Sequence, residues 1–301
     1  MEKPLIVVIG SSNTDMVIKS PHLPLPGETI LGGTFFMNAG GKGANQAVAA
    51  ARLGGQVSFI ARVGRDIFGK EAIQLFKKEG IDSSAVQKDK KFPSGVALIT
   101  VDDKGENCIS VAPGSNAALT PAAVRKHLPL LEKASILLMQ LETPLETIRA
   151  AADYAAKTNC RVILNPAPAR NLPDGLLERI SVITPNEKEA EMLTGIAVDS
   201  VESAEKAARV LAAKGIGTVI ITLGAKGALL LHENKLTRIE TVKVEAIDTT
   251  AAGDVFNGAL AVGLSENKPM EEAVRFACKA ASISVTRLGA QASAPYLHEI
   301  E

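Results

Sequence analysis

Two stretches of the chain place glycine or other small residues, mixed with polar groups, just ahead of an apolar helical pattern. In DTTAAGDVFNGAL, residues 248–260, the small residues sit at the start of a helix whose first N–H groups have no partner inside the helix. Such an end attracts anions, because free amides and the helix dipole both favour negative charge there. Ala252 and Gly253 would let a phosphate approach the backbone. Asp254, in the first turn, stands where a carboxylate can touch both a hydroxyl and a transferring phosphoryl group. It equally fits a first-turn acidic residue that merely complements the dipole, and this segment alone leaves both readings open.

The second stretch, AGGKGANQA at 39–47, again sets glycines before a helix and adds a cation, Lys42, and an amide, Asn45. It is not a P-loop, because the GxxxxGK[ST] spacing is absent. It is not a dinucleotide fingerprint either, because Gln46 stands where the third glycine of GxGxxG belongs. A tight strand-to-helix turn explains it equally well. Further polar residues follow predicted strands: Asn13 and Asp15 after the first, Glu142 after ILLMQ, and Asn186 with Glu189 after VIT. Each could be a local cap or turn residue. Together they occupy the carboxyl ends at which open α/β sheets bind ligands.

Elements must hold these residues in place. The apolar, β-branched run 5–9 ends at Gly10 and reads as a strand buried on both faces of a parallel sheet. Further strands are expected at 57–63, 136–139, 161–164, 182–184 and 218–223, alternating with helices at 42–53, 66–79, after Pro144, and at 201–213. Two helices, 253–264 and 270–286, close the chain. This alternation predicts an α/β fold, a doubly wound, mostly parallel sheet with helices on both faces. Residues 15–36 and 92–111 break the rhythm with strands and turns, and predict a small β lid built from two excursions out of one domain spanning 1–301.

Composition narrows the function. The 301 residues are 46% hydrophobic, enough for a large core, and 33 basic residues balance 33 acidic ones without clustering. Neither nucleic acid nor an anionic membrane surface is an expected partner. No run approaches a membrane span or a signal h-region, so a cytoplasmic protein is expected. Cys108, Cys160 and Cys278 are odd in number and far apart, and read as reduced, buried thiols.

AGGKGANQAVAAARLG and DTTAAGDVFNGAL resemble the two signatures of the PfkB-type carbohydrate kinases, in the form found in ribokinases, and TPNEKE (184–189) and TLGAKG (222–227) fall in the order such enzymes show. The resemblance covers essentially the whole chain. It implies that Asn13, Asp15, Gly41, Lys42, Asn45 and Glu142 hold a sugar. It also implies that Asn186, Thr222, Leu223, Gly224, Ala225, Lys226, Gly227 and Gly253 line ATP, with Cys278 near the adenine, and that Glu189 organises magnesium through water. Asp254 would be the catalytic base, with the amides of Ala252 and Gly253 receiving phosphoryl charge. Asp248 and Ser293 side chains, with the carbonyls of Thr250, Ser284, Arg287 and Gly289, would hold a potassium ion. A homodimer formed through the lid is also implied.

The expected activity is phosphorylation of ribose at its 5-hydroxyl. Another kinase of the family, acting on deoxyribose, fructose or a nucleoside, is the alternative, and a non-enzymatic binder is a third. A binder has no need of an aspartate beside an anion-binding helix end. Aromatic residues make up only 3% of the chain, without tryptophan, which gives little support to a nucleoside acceptor whose base must be stacked.

Overall fold

The computed structural model describes residues 3–300. Its elements run β1 (Leu5–Ile9), β2 (Asn13–Lys19), β3 (Thr34–Gly40), α1 (Lys42–Arg52), β4 (Gln56–Gly64), α2 (Ile67–Lys78) and β5 (Val86–Asp89). They continue as β6 (Gly95–Val101), β7 (Asn107–Ala112), α3 (Pro121–Arg125), α4 (Leu128–Lys133), β8 (Ala134–Met139), α5 (Leu145–Ala155) and β9 (Arg161–Leu164). Then follow α6 (Asp174–Leu177), β10 (Val182–Ile183), α7 (Glu187–Thr194), α8 (Val201–Ala213) and β11 (Thr218–Thr222). The last are β12 (Ala228–His232), β13 (Lys235–Ile239), α9 (Ala252–Ser265) and α10 (Met270–Ser284).

The main sheet has nine strands in the order β13-β12-β11-β10-β9-β8-β1-β4-β5. Every pair from β11 to β5 is parallel, whereas β11–β12 and β12–β13 are antiparallel. The chain winds outward from β1 in both directions, as the strand and helix alternation predicts. Because successive side chains of a strand face opposite ways, β1 feeds two cores. Ile6 and Val8 pack into one with α1, α2, α9 and α10, while Val7 and Ile9 pack into the other with α3 to α8. That two-sided burial is why the run reads as continuously apolar.

A second sheet of four strands, in the order β3-β2-β6-β7, stands apart from the main one. It begins earlier and ends later than the two excursions predict, since β2 starts at Asn13 and β3 runs on to Gly40, directly into α1. Asn13 and Asp15 therefore lie on a strand of the small sheet and not in a loop beyond β1. Their cross-strand partners put Asn13, Asp15, Asn38 and Ala97 on one face. The opposite face carries Ile18, Phe35, Met37 and Leu98, each 47–57% exposed. Cys108 is exposed on β7, whereas the expected burial holds for Cys160 and Cys278. Among the described residues no helix is long and apolar enough to cross a membrane.

Candidate active site

The turn from β3 into α1 draws four sequence-distant segments together. Gly41, the residue before the helix, has φ +88, and a Cβ there would lie 2.6 Å from the Asn13 amide nitrogen, so only glycine lets the turn close on the start of β2. Gly40 answers a different demand. The Asp15 carboxylate lies over it so closely that a Cβ would come within 2.1 Å of Oδ2.

Glu142, just past β8, reaches back to the same turn. Its Oε2 accepts from the Ser11 hydroxyl at 2.5 Å and from the Lys42 backbone N–H at 3.0 Å. Asn13 is held from the other side. The Asn116 side-chain amide donates to Asn13 Oδ1 at 2.7 Å and to the Ser12 carbonyl at 3.2 Å, while Asn116 Oδ1 accepts from Ser12 N–H. Asn13, Asp15, Gly41, Lys42 and Glu142 thus meet at this turn, where Ser11 holds Glu142 and Asn116 holds Asn13; sequence reasoning missed both of these holders.

Asp254 is buried in the first turn of α9. Asn45 Nδ2 donates to its Oδ2 and Gln46 Nε2 to its Oδ1, both at 2.9 Å. Burial raises its affinity for a proton, against the opposing pull of Lys42, Asn45 and Gln46. Asp15 is pushed up to about 6 by burial and then by the charges of Glu142 and Asp254. The Lys42 ammonium lies among Asp254, Glu142, Glu189 and Asp15; burial would lower its pKa, but those four carboxylates outweigh burial and hold it protonated. The site is a polar basin in which four carboxylates surround one ammonium, an acidic excess consistent with the raised proton affinity of Asp15, Asp254 and Glu189.

The helix end itself departs from expectation in one detail. Ala251 precedes α9 in the left-handed region, φ +60, and the Ala252 N–H is engaged by the Thr249 carbonyl at 3.2 Å. The amides of Gly253 and Asp254 are the ones left without a partner. At Gly253 a Cβ would meet nothing within 4 Å, so the glycine borders open space rather than packed protein. Asn257 and Thr184 brace this turn: Asn257 donates to the Gly253 carbonyl and accepts from the Thr184 hydroxyl, both at 2.7 Å.

That open space is a cavity of about 730 Å³. Of the residues the resemblance places around ATP, Asn186, Thr222, Gly224, Ala225, Gly227, Gly253 and Cys278 line it, together with Val242, Val244, Phe256 and Lys243. Leu223 is buried and Lys226 exposed, and neither belongs to the wall. The irregular segment contributing Val242 to Val244 carried no pattern that would have marked it. Asn186 and Glu189 form a reciprocal cap on α7, each side chain accepting the other's backbone N–H. Glu189 Oε1 takes no part in this cap, and burial raises the pKa of the carboxyl. A cation or its water would relieve that burial, which suits magnesium on a bound phosphate chain.

The Asp248 carboxylate ties two loops together, accepting from the N–H groups of Thr250 and Gly289, each at 2.9 Å. Burial would raise its pKa, but these bonds hold it below the usual range. Ser293 is fully buried and its hydroxyl donates to the Ala290 carbonyl, which leaves oxygen lone pairs free. The carbonyls of Thr250, Arg287 and Gly289 accept no backbone hydrogen bond, whereas that of Ser284 accepts from Arg287 N–H at 3.1 Å. Oxygens of this kind are the donors a hard monovalent ion takes.

Residues 3–297 match the family model described as "pfkB family carbohydrate kinase". The chain is 48% identical over 294 residues to a ribokinase of Haemophilus influenzae, covering 98% of this chain and 96% of the relative. It is 37% identical over 295 residues to a deoxyribokinase of Salmonella typhi, with coverage of 98% and 96%. Among solved structures, a ribokinase of Arabidopsis thaliana complexed with ribose and ATP superposes with a TM-score of 0.93 at 33% identity, over 100% of this chain and 98% of that one. With both signature segments meeting at Asp254, and with similarity running the full length, the chain belongs to the pfkB family of carbohydrate kinases.

Proposed function

We propose that the chain transfers the γ-phosphoryl group of ATP to the 5-hydroxyl of D-ribose, giving ribose 5-phosphate and ADP. The observation that carries this reading is Asp254, gripped by Asn45 and Gln46 one residue beyond a glycine that lines the large cavity. The 48% identity to a ribokinase and the 0.93 superposition on one holding ribose and ATP support it.

Asn13, Asp15, Gly41, Lys42, Asn45 and Glu142 pair with the hydroxyls of the sugar, which otherwise would be buried unpaired. The cavity takes the nucleotide, its apolar wall at Val242, Val244, Phe256 and Cys278 against the base. Asp254 accepts the proton of the 5-hydroxyl as that oxygen attacks the γ-phosphorus in line, and the bond to the β,γ-bridging oxygen breaks to release ADP. The amides of Gly253 and Asp254 face the charge that develops on the phosphoryl oxygens. Magnesium on the phosphates, its water organised by Glu189, would supply further neutralisation. Potassium held by Asp248, Ser293 and the surrounding carbonyls would order the turn that presents those amides.

The chain pairs with a second copy through the outer face of the lid. Ile18, Phe35, Met37 and Leu98 make an apolar sheet face that a soluble protein covers.

A panel of sugars with ATP tests the substrate. Ribose should exceed 2-deoxyribose and fructose in kcat/KM by roughly one to two orders of magnitude, since each missing or misplaced hydroxyl strands a buried partner. Equal values for fructose and ribose would remove ribose as the substrate while leaving the kinase.

A further inference from the structure

Behind Asp254 lies a chain of carboxamides to which the reaction as written assigns no part. Gln46 Nε2 donates to Asp254 Oδ1 at 2.9 Å and to Asn165 Oδ1 at 3.0 Å, and Gln46 Oε1 accepts from Gln140 Nε2 at 2.6 Å. Gln46, Gln140 and Asn165 are 0%, 1% and 6% exposed, so none of these bonds faces bulk water. Gln140 directly follows β8 and Asn165 directly follows β9; the Asn165 N–H donates to the Met139 carbonyl at the end of β8 at 2.9 Å, and its side-chain NH2 to the Thr184 carbonyl just past β10 at 3.4 Å. The carboxyl edge of the main sheet is thereby wired through a single side chain on α1 to a carboxylate on α9.

With Asp254 ionised and with Gln140 and Asn165 oriented as they are, the wiring has one consistent sense, which leaves Gln140 Oε1 as the buried atom without a partner. Rotating the Gln46 amide by half a turn would aim its carbonyl at two oxygens, Asp254 Oδ1 and Asn165 Oδ1, and its NH2 at the Gln140 donor. Gln46 must therefore present an N–H to Asp254. With Asn45 on the other oxygen, the plane of the carboxylate is set by two donors from adjacent residues of one helix.

We propose that Gln46 is a positioning residue for the phosphoryl transfer: it fixes the rotation of the Asp254 carboxylate and, through its N–H, favours the ionised form that can take the hydroxyl proton. Gln140 and Asn165 act one step further back by holding Gln46 in that sense. This rests on Asp254 being the base. A hydrogen bond to a buried charge is worth more than one between neutral groups, and a base misdirected by a fraction of an ångström loses much of its effect. The charged groups around Asp254 are Lys42 on α1, Glu142 beyond β8, Asp15 on β2 and Glu189 on α7, and none of them changes when Gln46 is replaced.

Gln46→Met keeps length and removes both donors. With ATP and ribose, kcat should fall on the order of 10–100-fold while KM for each substrate stays within about threefold. The acid limb of kcat against pH should move up by roughly one unit, because the lost donor no longer favours the carboxylate. Gln140→Met, which leaves every Asp254 contact in place, should show the same pattern weakly, about threefold in kcat, and serves if Gln46→Met does not fold. For Gln46→Met, a kcat within threefold of wild type with an unmoved acid limb, or a loss confined to KM, would overturn the proposal; for Gln140→Met, wild-type kcat with an unmoved acid limb would. Asp254→Asn run alongside separates the two levels. If that variant is inactive and Gln46→Met is normal, only the positioning role is wrong; if Asp254→Asn turns over normally, both fall.

Discussion

The Ser11 hydroxyl donates to Glu142 Oε2 at 2.5 Å across 131 residues of sequence, and the same oxygen accepts the Lys42 backbone N–H. One carboxylate oxygen thus ties the α1 turn and the segment after β1 to the segment after β8, while Oε1 takes part in neither bond. Ser11→Ala should leave that carboxylate free to rotate. KM for ribose is expected to rise about tenfold, the loss of one bond to a charged group, with kcat within about twofold. An unchanged KM would show that Glu142 is held without Ser11.

Asp15 gives a pH signature with a definite sign. Its pKa is about 6 in the folded protein against 3.8 ordinarily, so the folded state holds the proton more tightly. The associated stability is full below 3.8 and is lost as pH rises through 6, amounting to about 3 kcal/mol in the limit. Asp15→Asn cannot ionise and escapes that loss. Its melting temperature should exceed wild type at pH 8 and approach it at pH 4, while ribose binding weakens. In wild type, KM for ribose should fall as pH rises through about 6, where the acceptor carboxylate forms. A flat KM from pH 5 to 8 would contradict the placement of Asp15 against the sugar.

Much of this architecture is legible in the chain because local pattern and tertiary demand agree. The run Leu5–Ile9 must be buried on both faces, and it feeds both cores. Asp66 and Ser200 cap helix starts with side chains that accept a backbone N–H, and Pro144 stands just before α5. The β12–β13 hairpin escaped because its turn is made by Glu233 and Asn234, at φ 50 and 61, without the glycine that usually marks such a turn. The free amide at Asp254, in place of the expected one at Ala252, follows from the left-handed Ala251, a conformation that an alanine does not advertise. Asn116, Gln140 and Asn165 lie between or beyond the motifs and matter only through contacts 19 to 119 residues away, which no spacing reveals.

The cation loop predicts activation. Asp248 joins the loop at Gly289 to the turn that leads into α9, so an ion among those oxygens would stiffen the amides of Gly253 and Asp254. Turnover with ATP, ribose and magnesium in buffer free of sodium and potassium should rise on adding potassium chloride. Asp248→Ala should flatten that titration, and a flat response in wild type would count against the site.

The outer lid face predicts assembly. Leu98→Asp places a charge in the middle of Ile18, Phe35 and Met37 without touching the face that carries Asp15. Light scattering at micromolar concentration should give a dimer for wild type and a monomer for the variant. A fully active wild-type monomer would dispose of the lid dimer.

The central claim is that Asp254 takes the proton. Asp254→Asn keeps size and polarity but cannot accept it, so kcat should fall by about 10²–10⁴ with KM for ribose and ATP nearly unchanged. The melting temperature should not drop, since the buried charge is what raises the pKa of this carboxyl. A first-turn aspartate that served only the helix dipole would instead cost about 0.3–1 kcal/mol of stability and leave turnover intact. Measuring kcat, both KM values and the melting temperature of this variant beside wild type decides between them: loss of turnover in a protein as stable as wild type is the result expected, and turnover within about tenfold of wild type would contradict the mechanism.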